Sequence, residues 1–410
     1  MAQERKGPLK DMRVIELAHI MAGPVCGLML ADLGADVIKV EKANGGDDSR
    51  RFLPPDINGE PAAFLMMNRN KRGIALDLKS EAGKQVLLRL IKDADVLIEN
   101  YRRDTMEKLG LGYEELKKVN PGLIYCEISG FGRTGPYKDR AGFDLIAQGM
   151  SGLMDITGEV DRGPAKVGAP VSDTTAGILG AMGCLAAYTH KLKTGEGQRV
   201  DTSLFEAAIT HTYWQSAICF ATGASPGRMG TAHPLNAPYQ TFETKDGWIN
   251  IGAANQRNWE RLLDCLDAPE LGEDPRFSEN TSRMANLDTL VEVLTVYFKK
   301  RSTAEWLEAL EEAGLPAGPV FSISEMLQDP QTIARDMVPE TQHPIAGPVQ
   351  TIGLPVKLSG TPGGVVRPAP QFGQHSHEVL QELGYSVEEI DALLDDGAVL
   401  AGEEKAEAAQ

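Results

Sequence analysis

The chain has 410 residues, with 41 Lys+Arg against 58 Asp+Glu and a formal net charge of −17. That length supports two or three domains with a sizeable core, and 42% hydrophobic with 24% charged residues excludes a wholly disordered chain. The acid excess argues against nucleic acid or an anionic membrane as the main partner, because both recruit cationic surface.

The first two hundred residues alternate strand-like and helix-like pieces. Arg13-Val14-Ile15-Glu16-Leu17 predicts a short strand, followed by a helix over 23–33 that Gly-Pro opens. Further strands are expected at 36–41, 73–78, 95–99 and 123–129, with helices near 80–91 and 113–119. Short apolar strands separated by helices predict a Rossmann-like parallel sheet covered on both faces. Ligands of such sheets sit on the loops beyond the C-terminal strand ends. Gly177, Gly180 and Gly183 mark a buried helix over 173–190 that permits close backbone approach, and another strand is expected at 199–204.

Beyond a Gly/Ser/Pro-rich connection at 223–230, the pattern predicts a hairpin at 239–242 and 247–251 around Asp246-Gly247. Helices follow at 256–266, 287–300 and 303–313, the last capped by Ser302. From about 345 the chain is Pro/Gly-rich and is expected to lie across another surface, before a helix pair at 377–383 and 387–394. The expected domains are a large α/β domain (1–224), a small α+β domain (225–330), a return segment completing the large domain (331–400) and a disordered tail (401–410).

MAQERKGPLK carries no signal-peptide apolar run, and no stretch reaches the ~20 apolar residues of a membrane span. Cys26, Cys126, Cys184, Cys219 and Cys265 are scattered, without CxxC or Cys/His spacing. This sets the expectation of a reducing, cytoplasmic compartment, with no disulfide framework and no metal site. GxGxxG after the first strand, GxxxxGKS/T, HExxH and GxSxG are all missing.

Charge is distributed unevenly. Residues 1–120 carry 20 basic and 19 acidic side chains (+1), which leaves 21 and 39 (−18) for the remainder. Lys39 and Lys42 flank the second strand, Lys71, Arg72 and Lys79 bracket the third, and Arg102, Arg103 and Lys108 follow the fourth. One reading is solvated surface charge. The other is a site for a polyanionic small molecule, since phosphates prefer Lys/Arg and backbone N–H donors. Asp173, at the start of the Gly/Ala-rich helix, also has two readings: a first-turn acid favoured by the helix dipole, or a carboxylate nucleophile beside oxyanion-holding amides.

Arg13-Val14-Ile15-Glu16-Leu17 through Ala22-Gly23-Pro24, Leu33-Gly34-Ala35-Asp36-Val37-Ile38-Lys39-Val40-Glu41, and Asn68-Arg69-Asn70-Lys71-Arg72 form an ordered series. Ala94-Asp95-Val96-Leu97-Ile98-Glu99-Asn100-Tyr101, Ile128-Ser129-Gly130-Phe131-Gly132 and Lys193-Thr194-Gly195-Glu196-Gly197-Gln198 continue it. In this order the chain resembles the class III coenzyme A transferases. These are the formyl-CoA transferase and carnitine dehydratase-like proteins of CaiB/BaiF type, a family that also contains α-methylacyl-CoA racemase.

The resemblance implies a large α/β domain discontinuous in sequence, a small α+β domain and an interlocked homodimer. It implies CoA transfer from a short acyl-CoA, such as succinyl-CoA, to a small mono- or dicarboxylate. Asp173 matches the catalytic aspartate that passes through an anhydride and an aspartyl-CoA thioester. The CoA thioester is a substrate, and no tightly bound cofactor is implied. The family's CoA-contacting positions fall on Ala22, Lys42, Leu76, Lys79, Asn100, Tyr101, Arg102 and Lys108. Lys42 and Lys108 stand where arginine occurs in the family, and a lysine offers a point charge rather than a fork. Met21 stands where some members carry a glutamine suited to formyl transfer, and 227–230 loosely matches a mobile glycine-rich loop.

The racemase members carry Ala-Gly-His-Asp, but this chain has Ala141-Gly142-Phe143-Asp144. Phenylalanine exchanges no proton, so transferase chemistry is favoured over racemisation, with Asp144 placed to position CoA or the acceptor. A racemase-like isomerase, a CoA-binding protein without turnover and a fold-only relative with a structural function are the alternatives.

Overall fold

A computed structural model describes residues 6–402; most of the tail expected to be disordered, from 403 on, lies outside the described residues. The chain divides into two compact units. The first takes the chain up to Ser151, Gly168–His211 and everything from Pro330 onward; the second takes Gly152–Val167 and Thr212–Asp329. The second unit therefore starts earlier than 225 and also draws in a stretch from before the long Gly/Ala-rich helix.

The first unit is built on six parallel strands: β1 (Arg13–Glu16), β2 (Asp36–Lys42), β3 (Arg72–Leu76), β4 (Val96–Glu99), β5 (Ile124–Ser129) and β6 (Arg199–Ser203). Their spatial order is β3-β2-β1-β4-β5-β6, and the two-residue strand Val399–Leu400 adds antiparallel to the outer edge of β3. The parallel strands thus follow the doubly wound 3-2-1-4-5-6 order, whose switch point lies between β1 and β4. Alternate side chains feed two cores. Val14, Val37, Val96, Ile98, Cys126 and Ile128 face one side; Ile15, Ile38, Ile74, Leu97 and Tyr125 face the other.

Four helices matter for the site. α1 (Ala22–Asp32) is apolar nearly all round and buried along most of its length. α2 (Glu81–Lys92) opens on Ser80, whose side chain accepts from the Gly83 amide, and carries Glu81 at its start and Arg89 and Lys92 at its end. α3 (Asp144–Met150) is short. α4 (Val171–Thr194) buries a stripe of small residues (Ala176, Gly177, Gly180, Ala181, Cys184, Ala187) and stops at Gly195, which takes the left-handed conformation at φ 80°. The small stripe lets α4 sit hard against its neighbours: a Cβ on Gly177 would lie 2.6 Å from the Ala22 oxygen, and one on Gly183 2.6 Å from Val200.

The Pro/Gly-rich segment after 345 runs over the first unit, where Asn70 bonds the main chain of Gly364, Val366 and Arg367. The helix pair forms at Ser376–Glu382 and Val387–Asp395. Two further helices, Leu204–Ile209 and Tyr213–Thr222, lie between the strand expected at 199–204 and the connection expected at 223–230, a stretch to which the sequence pattern assigns no element.

The second unit holds an antiparallel sheet of β7 (Tyr239–Glu243), β8 (Trp248–Gly252) and β9 (Ala317–Pro319). Its helices include Gln256–Leu266 and Leu287–Phe298, and the helix Thr303–Glu312 opens on a reciprocal Ser302/Glu305 capping box. Phe242, Trp259, Leu290, Phe298 and Trp306 form its core. No helix among the described residues is long and apolar enough to cross a membrane.

Candidate active site

At the switch point the loops after β1 and β4 meet. The Asn100 amide accepts from the His19 N–H (3.0 Å) and donates to the His19 carbonyl (2.8 Å), so the two loops are tied main chain to side chain. The His19 and Tyr101 rings lie 5.7 Å apart. Burial lowers the His19 pKa although Asp47 and Asp48 stand beside it, and burial pushes the Tyr101 hydroxyl up to about 12. A small cavity of about 50 Å3 opens among Ala18, His19, Lys42, Gly46, Asp47 and Tyr101. A larger one, about 120 Å3, sits at the opposite strand ends, where Arg13, Asp36, Arg72 and Glu382 pair with one another. Arg13, Asp36, Arg72 and Glu382 there neutralise one another, whereas the residues expected to meet CoA lie at the switch-point end.

The sheet order sets the loops carrying most expected CoA contacts side by side. Ala22 is the buried first residue of α1, whose N-terminus has no side-chain cap and so presents the positive end of the helix dipole. Lys42 is exposed at the end of β2 and bonds Asp48 at 2.7 Å. Asn100 and Tyr101 are half-buried. Lys79, Arg102 and Lys108 are exposed and make no ion pair with the described residues. Leu76 ends β3 with its side chain wholly buried and its carbonyl accepting from the Ala43 amide, so it offers a ligand no side-chain surface.

Three expected phosphate cations are corrected. Lys39 and Lys71 are fully buried in ion pairs with Glu16. Arg72 is buried against Asp36 and also pairs with Glu378 and Glu382. Arg72 starts β3 while Lys79 follows its end, and the two ends of a strand open on opposite edges of the sheet. Arg103 pairs with Asp139. The missed partners had a signal: a lone acid in Val-Ile-Glu-Leu and a lone base in Val-Ile-Lys-Val need counter-charges once those strands are buried. Glu16 and Lys39 are cross-strand neighbours.

Asp173 stands in the first turn of α4. It lies four residues before Gly177, hence on the same helix face, and Gly177 packs on the Ala22 carbonyl. The Asp173 carboxylate is half-buried and has no hydrogen-bond or ion-pair partner among the described residues. Burial, and after it the charge of Asp144, pushes its pKa up to about 6. Asp144 is itself held in place, accepting from the Ser172 amide (2.9 Å) and from Gln148 Nε2 (2.8 Å). An enclosed carboxylate without a cation is more nucleophilic than a solvated or paired one. Phe143 is exposed beside it. Gly227 and Gly230, both at positive φ, belong to the second unit.

A model of CoA-transferase family III matches residues 9–376. The chain belongs to that family. This CoA-transferase is 41% identical over 385 residues to a succinate–glutarate CoA-transferase of Agrobacterium fabrum, spanning 92% of this chain and 96% of that protein. It is 37% identical over 399 residues to the succinyl-CoA:glutarate CoA-transferase of Mus musculus, spanning 97% and 92%. A solved CaiB/BaiF family protein from Brucella suis superposes with a TM-score of 0.83 at 40% identity, covering 92% of the transferase and 100% of that chain.

The cysteines also need a correction. Cys26 of α1, Cys126 of β5 and Cys184 of α4 are not scattered in space: their sulfurs lie within 4.8 Å of one another, fully buried. They pack among Val, Ile, Leu and Ala of one apolar core. Neutral thiols suit that setting as small hydrophobes, and three thiolates there would lack counter-charge without a bound cation.

Proposed function

We propose that this transferase moves CoA from succinyl-CoA to a small dicarboxylate, with glutarate the first to test, through Asp173. The observation that carries the reading is the half-buried Asp173 carboxylate, without a partner among the described residues, one helical turn before the Gly177 that packs on the Ala22 carbonyl. The names of the bacterial and mouse relatives support the donor and acceptor.

In this mechanism a carboxylate oxygen of Asp173 attacks the thioester carbonyl. The C–S bond breaks, CoA leaves as thiolate, and a succinyl-aspartyl anhydride forms. The thiolate then attacks the aspartyl carbonyl and releases succinate, leaving an aspartyl-CoA thioester. The acceptor carboxylate repeats the steps in reverse and frees Asp173. Each step exchanges one activated acyl bond for another, so no ATP is needed. Lys42, Lys79, Arg102 and Lys108 hold CoA phosphates, Ala22, Asn100 and Tyr101 line its path, Leu76 contributes main chain only, and Asp144 positions CoA or the acceptor.

The active species is proposed to be a homodimer. Met182, on the face of α4 away from the sheet, is 60% exposed, and Phe220 is 90% exposed. Apolar surface of this kind is covered in assemblies.

The test incubates the protein with succinyl-CoA and glutarate and follows glutaryl-CoA by mass spectrometry. Borohydride or hydroxylamine trapping should modify Asp173 only when an acyl-CoA is present. Binding of CoA with no exchange between succinyl-CoA and labelled succinate would overturn the reading.

A further inference from the structure

Four buried charged side chains of the first unit, Glu16, Lys39, Asp47 and Lys71, form one network that bonds the segment joining β1 to α1. Lys39 Nζ donates to Glu16 Oε1 (3.0 Å) and to the Ala18 carbonyl (2.9 Å), and lies 2.8 Å from Asp47 Oδ2. Lys71 Nζ donates to the Pro24 carbonyl (2.9 Å) and to Asn68 Oδ1 (3.0 Å), and pairs with Glu16 Oε2 at 2.8 Å. Each ammonium thus meets three acceptors, its full complement. Two ammonium and two carboxylate groups balance, which is the condition under which burying them is tolerated.

The outward side of this frame is main chain. Asp47 accepts from the Ile20 amide at 3.0 and 3.3 Å. Together with Asn100 at His19, the contacts fix main-chain groups of Ala18, His19, Ile20 and Pro24. Ile20 sits at φ 68°, a left-handed conformation that a β-branched residue occupies only under constraint. Glycines make room for the frame: a Cβ on Gly27 would lie 1.8 Å from Glu16 Oε2, and one on Gly23 2.1 Å from the Ala18 Cβ.

We propose that Glu16, Lys39, Asp47 and Lys71 are positioning residues for acyl-CoA, holding the 18–24 main chain, strained at Ile20, in the conformation that receives the substrate. This rests on the CoA-transfer reading above. The four side chains act only through the loop. A purely structural role would lower stability and leave turnover by the folded protein unchanged.

The test compares Asp47→Ala with Asp47→Ala/Ile20→Gly, because glycine adopts positive φ without the clamp. On folded protein, kcat/KM for succinyl-CoA should fall at least about tenfold in Asp47→Ala, as expected for a misplaced binding loop. It should recover at least about threefold in the double variant, where strain no longer opposes the active conformation. Amide hydrogen exchange at 18–24 should be faster in Asp47→Ala. If Asp47→Ala does not fold, Asp47→Asn serves; it keeps an acceptor for Ile20 but removes the charge from Lys39, and a kcat/KM loss of about threefold or more is expected.

A folded Asp47 variant with wild-type kcat/KM would overturn the proposal, as would a double variant no better than Asp47→Ala. Wild-type protein without any CoA transfer would overturn the function reading instead. The exchange arm then decides whether the frame holds the loop, and unchanged protection of Ile20 in the Asp47 variant would overturn that too.

Discussion

Gly177 of α4 lies against the carbonyl oxygen of Ala22, so close that a methyl group on Gly177 would sit 2.6 Å from it. One turn earlier on the same face stands Asp173, so this contact fixes how closely α1 approaches the helix face that carries it. Gly177→Ala should cost about 1–3 kcal/mol by overpacking. It should also lower kcat more than its stability loss explains, by about tenfold or more, because a shift near 1 Å is expensive at a reacting centre. Denaturant melts and kinetics on the same preparation check both.

Asp173→Asn should lower kcat by about 10³-fold or more, as loss of a covalent nucleophile does, and abolish trapping of the labelled adduct. The same change should stabilise the fold at pH 8. Asp173 has its pKa raised from the ordinary 3.8 to about 6, so the folded state takes up its proton more readily than the unfolded chain. The contribution of Asp173 to stability is therefore greatest at low pH and declines as pH rises through that window. The Asn variant escapes the decline, so its gain in Tm should be present at pH 8 and gone near pH 3.5.

In the proposed mechanism Asp173 must be ionised to attack. kcat/KM should rise with pH through about 6 and level off above it. Asp144→Asn removes the like charge that adds to burial, so the acid limb should move to lower pH. An unmoved limb would show that Asp144 does not act on Asp173 electrostatically.

Arg102→Glu should raise KM for succinyl-CoA about tenfold or more, with kcat within about twofold, if it meets a CoA phosphate. Lys42→Ala should do less, because Lys42 already bonds Asp48. The salt dependence of KM in each variant separates a phosphate contact from a general change of charge.

The thiol trio yields a prediction about metal. Exhaustive dialysis against a chelator should leave both Tm and turnover unchanged, because neutral thiols in an apolar core need no ion. A drop in Tm reversed by added zinc would show that the trio binds metal.

Much of the first unit was legible because its signals are local. Short Val/Ile-bearing segments such as Asp36–Lys42 and Ile124–Ser129 read as covered strands, and Ser302 with Glu305 announces a helix start three residues apart. The position of Asp173 at the head of a small-residue helix was legible for the same reason. What failed was non-local. Glu16 and Lys71 are 55 residues apart, and Arg72 meets Glu382 across 310, so no window of sequence holds both charges. The strand Val399–Leu400 has two residues and no pattern of its own; it exists only because β3 offers it an edge.

The interrupted first unit also bears on how the polypeptide leaves the ribosome. Every residue of the second unit precedes Pro330, while the first unit still lacks its last segment at that point. Vectorial synthesis therefore completes the inserted unit first. The nascent sheet meanwhile waits with β3 unpaired on its outer side until 399–400 arrive, an interval in which that edge is open to foreign strands.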